Sequence, residues 1–204
     1  MVADNGSIGG EGSHEFHVLA ESGEDAIVFS DSGNYAANME KATAQLPQGE
    51  RPAPSQQKVL VDTPDQFTIE AVSSFLKLPA NQSVKTLIVL AAEEEEKPQG
   101  LVALVLRGDH ELNEIKAENH PAIKAPLTLA AESQIVAAIG CKPGSIGPVG
   151  MDIKVIADHS AAQLADFVCG ANQDGKHYTG VNWERDAQFD EVADLRNVIE
   201  GDTS

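Results

Sequence analysis

Basic residues are scarce in this chain: 14 Lys and Arg stand against 32 Asp and Glu, a net charge of −18. Affinity for a phosphate backbone comes from Lys and Arg that neutralise it, so tight autonomous binding of long RNA or DNA is excluded. One end of an RNA delivered by another module is still compatible with that charge. Aromatic residues make up only 4% of the chain, so any core must be aliphatic, and the 42% hydrophobic content is enough to build one. The two cysteines, Cys141 and Cys169, form no CxxC pair. Free buried thiols are therefore expected, not a disulfide or a metal centre. No run approaches the ~18 apolar residues of a membrane span. Met1 to Gly10 carries neither a basic n-region nor an apolar h-region, which argues against a signal peptide and for a cytoplasmic protein.

What is present divides the 204 residues into three parts. Residues 1–57 are an acidic, Gly- and Ser-rich flank, followed by a linker with Pro47, Pro52 and Pro54. Residues 58–185 read as the folding unit, and residues 186–204 as a second acidic flank. In the body, Val59–Val61 reads as a strand and Thr63-Pro64 as a helix start, a hydroxyl cap before Pro at the first helical position. Ile69, Val72 and Leu76 follow at helical spacing. Val84–Ala91 and Leu101–Leu106 read as buried strands joined by a turn at Glu93–Glu96, which is too charged to bury. A short helix is expected over Asn113–Glu118. Thr128 is read as the cap of a helix carrying Ile135, Val136 and Ile139. Ile153–Ile156 and Tyr178–Trp183 read as further strands. This uneven alternation predicts an α/β fold, with α+β also open: a mixed β-sheet with surrounding helices.

Three places have residue types suited to chemistry. Lys85 interrupts the apolar run Val84–Leu90; it either faces a cleft or snorkels to water. His177 follows the turn Asp174-Gly175 at a strand start, where it either overlooks a pocket or sits exposed on an edge. The loop Lys142–Gly150 is rich in glycine, so its backbone N–H groups can approach a ligand closely; an ordinary connection is the plainer reading. It lacks GxxxxGK[ST] and is no nucleotide P-loop. Asp158 could orient Lys85 or His177, or only cap the turn at Ser160. Arg107-Gly108-Asp109-His110-Glu111 is rejected as a metal cluster, because neighbouring residues on an extended chain cannot converge on one ion; a cap at Asp109 explains it more simply. There is no GxSxG elbow, and no histidine is evidently paired with Cys141.

Longer motifs carry a resemblance. Gly6-Ser7-Ile8-Gly9-Gly10, Ser13-His14-Glu15-Phe16, Gly23-Glu24-Asp25 through Asp31, and Asn34-Tyr35-Ala36-Ala37-Asn38 resemble the catalytic domain of bacterial prolyl-tRNA synthetases just before that family's insertion. Val61-Asp62-Thr63-Pro64, Val84-Lys85-Thr86-Leu87, Leu106 to Asn113 and Gly175-Lys176-His177-Tyr178 resemble the insertion itself, a YbaK-like editing domain. Asp194 to Val198 resembles the return into the catalytic domain.

The resemblance implies hydrolysis of alanine mischarged on proline tRNA. It makes Lys85 the key catalytic residue. His177 would bind the alanyl group and set specificity, and Asp158 is implicated as well. Ile69 and Val72 would line the pocket; Val72 stands where another member has leucine, which widens it. Gly147, Pro148, Val149 and Gly150 would form the substrate-facing loop. The implied partners are the 3′ end of mischarged tRNA(Pro) and the remainder of the synthetase, whose full-length form is a homodimer; no membrane is involved. The editing domain needs no metal or other cofactor. ATP and magnesium belong to the full-length enzyme's proline ligation, which this piece is not expected to perform. A non-catalytic insertion that supports the synthetase or positions tRNA is the competing reading. The flanks are expected to be poorly ordered outside a parent enzyme.

Overall fold

The structure is a computed structural model that describes residues 2–3, 13–14, 26–31, 33–94 and 97–203, the first two pairs as backbone only. The catalytic-domain resemblance over residues 6–10 and 15–25 lies outside the described residues, as do Glu95 and Glu96. A small sheet has the order β2-β1-β4-β3, from β1 (Val2–Ala3), β2 (Ser13–His14), β3 (Ile27–Phe29) and β4 (Ala36–Asn38). The body contains two more sheets. One is antiparallel, β5-β10-β9, from β5 (Val59–Asp62), β9 (Phe167–Gly170) and β10 (Lys176–Val181). The other is mixed, β11-β8-β7-β6, from β6 (Val84–Leu90), β7 (Leu101–Arg107), β8 (Lys154–Asp158) and β11 (Glu191–Ala193). In it β6 and β7 are antiparallel, while β7, β8 and β11 run parallel. The helices are α1 (Ile69–Leu76), α2 (Glu114–Glu118), α3 (Glu132–Ile139) and α4 (His159–Ala162). This is the mixed-sheet α/β architecture the sequence predicts.

The near-continuous apolar run of β7 follows from burial on both faces. Ala103 and Val105 join Val84, Ile88, Phe167 and Trp183 in the core between the two body sheets. Val102, Leu104 and Leu106 face the opposite way, onto Ala117, Ile123, Ile156 and Leu195. Three aromatics pack together: Trp183 lies 5.0 Å from both Phe167 and Phe189, ring centre to ring centre. Its indole N–H donates to the Ala161 carbonyl at 2.9 Å, so its polar tip is satisfied.

Two expected helix starts are displaced because other groups meet the same requirement. Helix α1 begins at Ile69, capped by Thr68, whose hydroxyl accepts from the Ala71 N–H. Thr63 is committed elsewhere. Helix α3 begins at Glu132 and uses Gln134, whose side-chain oxygen accepts from the Ala131 N–H. Thr128 lies instead in a segment that pairs with the outer edge of β6, with Leu90 N–H donating to Thr128 O and Ala130 N–H to Ile88 O, each at 2.9 Å.

The return flank is not loose. Strand β11 extends the mixed sheet, and Leu195, Arg196 and Val198 are buried. Asn113 N–H donates to Leu195 O (2.8 Å), and Asn197 N–H to Glu111 O (3.0 Å). Lys116 grips Asp194, and the Arg196 guanidinium forks onto Asp202. The proline-rich linker is tied down too. The Ser55 and Gln56 N–H groups donate to Asp166. Desolvation alone would raise that carboxyl, but hydrogen bonds from Ser55, Asn182 and Gln56 outweigh it and hold its pKa at about 2. The packed unit therefore extends past residue 185. We expect Leu195→Ala to cost about 2–5 kcal/mol in urea unfolding. A loss below about 0.5 kcal/mol, as for a surface site, would show that the return strand is no part of the core.

Candidate active site

The site lies where the two body sheets part. A single parallel bridge, Ser83 with Val168, joins the start of β6 to β9. At the far end, β6 is covered by residues 128–130. Those bonds run from Leu90 N–H and to Ile88 O, so the even-numbered residues of β6 turn their backbone groups away from β7. Between the two covered stretches, Thr86 turns its N–H and C=O toward the gap, with no strand opposite among the described residues. A cavity of about 320 Å³ opens there. Its walls are α1 and the chain leading into it, the middle of β6, the end of β9, His177 of β10, and Gly144 and Ile146 of the glycine-rich loop. The volume suits a small-ligand pocket, not a slot for one methyl group.

Lys85, His177, Ile69 and Val72 all line this cavity. Among the described residues around it, Lys85 is the only lysine or arginine. Its side chain is 19% exposed, and its ammonium donates to Glu111 Oε1 at 2.8 Å. Lys85 thus faces the cleft with its charge paired at the rim.

His177 is on the central strand of its sheet, between Val61 and Gly170, not on an edge. It is buried, with Nδ1 2.6 Å from Thr63 Oγ1. Burial lowers the His177 pKa, against the opposing pull of the Gly144 carbonyl. The ring is therefore neutral at pH 7.

Asp158 does not reach this cavity. Its carboxylate caps α4 through the Ser160 N–H at 2.9 Å and accepts the Leu195 N–H at 3.1 Å. It lines a separate 180 Å³ cavity with His159, Asp194 and Arg196. The glycine loop contributes through Gly144 and Ile146, not through Gly147, Pro148, Val149 and Gly150. Gly147 packs on β9, and a Cβ there would sit 2.0 Å from the Gly170 carbonyl oxygen. Its N–H is already donated to Asn172 Oδ1 at 2.8 Å, and Asn172 Nδ2 ties the Gly147 and Val149 carbonyls. Pro148 and Gly150 line a different surface hollow. Asp109 is forked by Arg107 and caps no helix; Asn113 caps α2.

Sequence reasoning missed Thr63, which it used as a helix cap, and Asn172, which it did not single out. It also missed Cys169, Glu70 and Phe67 as cavity-lining groups. Burial pushes the Cys169 thiol up, so it remains protonated and is no nucleophile.

An α/β domain with a lysine-bearing cleft at the junction of two sheets is the class defined by this fold and site. Residues 63–187 match the family model described as aminoacyl-tRNA editing domain, and the chain belongs to that family. Solved structures of similar fold include the hypothetical protein APE2540 (22% identity, TM-score 0.52, covering 69% of this chain and 92% of that one). A scaffold from epitope-grafting design is 20% identical at TM-score 0.52, covering 69% and 88%. A third, described as a candidate trans-editing enzyme for prolyl tRNA synthetase, is 19% identical at TM-score 0.51, covering 69% and 87%. At these identities the likeness is one of fold. No helix among the described residues is long and apolar enough to cross a membrane.

With its pKa below the ordinary 6.5, His177 contributes stability that is complete above about pH 6.5. That stability is lost as pH falls from there toward the folded-state pKa. NMR titration should place its imidazole midpoint below 6.5; a midpoint above it would contradict the buried neutral ring.

Proposed function

We propose that this cavity hydrolyses the aminoacyl ester at the 3′ end of mischarged tRNA, that alanine on tRNA(Pro) is its substrate, and that the chain is the editing insertion of a bacterial prolyl-tRNA synthetase. The observation that carries the reading is the single buried-stem lysine at the mouth of a small, mostly apolar cleft in a chain of the editing family. The flanking resemblance to the synthetase catalytic domain and the fold shared with a candidate trans-editing enzyme for prolyl tRNA synthetase support it further.

The physical need is clear. A site built for proline cannot exclude the smaller alanine by size, because one or two methylenes are worth only about 1–3 kcal/mol. A second cavity that admits alanine and rejects proline supplies the missing discrimination. Water adds to the ester carbonyl carbon. The tetrahedral intermediate then expels the ribose oxygen, which leaves as a hydroxyl, and free alanine departs. The Thr86 N–H on the open edge of β6, with the amides at Gly144 to Ile146, would steady the oxyanion. Lys85 anchors the nearby phosphate or polarises the carbonyl. His177, Ile69 and Val72 bound the side-chain space. ATP-dependent proline ligation, dimerisation and the bulk of tRNA binding would belong to the rest of the synthetase.

Lys85→Ala should leave the fold intact and slow alanine release from Ala-tRNA(Pro) about a hundredfold or more, the cost of a charge-assisted contact in the transition state. Retention of the wild-type rate would defeat the assignment. His177→Ala should narrow the ratio of alanyl to prolyl ester hydrolysis; an unchanged ratio would remove His177 from specificity.

A further inference from the structure

Among the described residues, the only lysine on the cavity wall is already paired with a carboxylate. The two partners differ sharply in exposure: the Lys85 side chain is 19% exposed and that of Glu111 is 80% exposed. The ammonium is held by the cleft, whereas the carboxylate stands in solvent and can swing away at little cost. The Glu111 backbone does not leave with it. Its carbonyl accepts the Asn197 N–H at 3.0 Å, and the next residues are pinned by the Asn113–Leu195 bond and the Leu112–Arg196 bridge. Tethered in this way, the carboxylate swings out only as far as its own side chain reaches. A second acid, Glu70, lines the same cavity.

We propose that Glu111 is a resident anion on Lys85, holding in the free protein the place that a phosphate of the RNA 3′ end takes on binding. This rests on the reading of the cavity as a site for an RNA 3′ end. Carboxylate and phosphate oxygens are alternative acceptors for one ammonium, so the RNA must displace Glu111 to dock. The exchange replaces one ion pair with another. Few counterions are released, and the salt dependence of binding is shallow. The latch also adds a small discrimination, on the scale of one exposed ion pair, against RNA ends that do not fill the rest of the cavity.

The test is the affinity of a fluorescent hairpin RNA ending in unpaired CCA, read by anisotropy across a salt series. Glu111→Gln removes the charge at an exposed position and should lower Kd about two- to fivefold, the scale of an exposed ion pair. It should also steepen the slope of log Kd against log salt by about 0.7, the signature of one single-strand phosphate contact that now releases its own counterion. Glu111→Ala should act in the same direction, and both effects should vanish in a Lys85→Ala background. Weaker binding by Glu111→Gln, an unchanged slope, or an effect that persists without Lys85 would overturn the proposal. Alanine release is measured separately. A protein that binds as described but releases no alanine would refute the deacylase reading while leaving the latch standing. Release by the wild type without the Glu111 effects would do the reverse.

Discussion

Everything at the site depends on two sheets that share a core but, among the described residues, are bridged strand to strand once and then separate. The bridge at Ser83 and Val168 fixes β6 beside β9, and beyond it the strands diverge. Strand edges are normally paired or covered, because bare N–H and C=O groups attract other strands. Here most of the β6 edge is covered: Val168 is at one end and residues 128–130 are at the other. The short uncovered stretch at Thr86 is protected by lying inside a cavity. The same divergence lets Lys85 and Thr86, on opposite faces of one strand, border a single space.

Rigidity around that gap comes from hydrogen bonds made by otherwise modest residues. Asn172 holds the glycine loop at three points. The Ser145 hydroxyl accepts the Gly175 N–H, and the Thr63 hydroxyl fixes the His177 ring. Preorganised polar groups cost nothing to arrange when substrate arrives. The acidity of the chain then acts as a filter. With a net charge of −18 there is no general attraction for RNA, and the described residues around the cavity offer one ammonium, itself already paired.

The strands of the body were legible from the sequence because their apolar runs match the burial they meet. Val84–Leu90 and Leu101–Arg107 are long, aliphatic and separated by an acidic turn. Lys85 stood out for the same reason, as a charge inside such a run. What the sequence did not show was competition between partners. Thr63 before Pro64 looks like a helix cap until His177 arrives from across the sheet, 114 residues away. Asp158 looks available for the site until its oxygens are found on Ser160 and Leu195. Gly147 to Gly150 read as the substrate-facing loop, yet the Gly147 amide is consumed by Asn172. The end of the folding unit was equally hidden. The acidic composition after residue 185 masks a three-residue strand and a buried leucine that complete the mixed sheet.

The most direct test of where the chemistry sits is NMR shift mapping with a non-hydrolysable amide analogue of alanyl-adenosine. If the account is right, the largest changes fall on Lys85, Thr86, His177 and the amides of Gly144 to Ile146. Changes centred on Asp158 and Arg196, or on Pro148 to Met151, with the β6–β9 gap undisturbed, would contradict it.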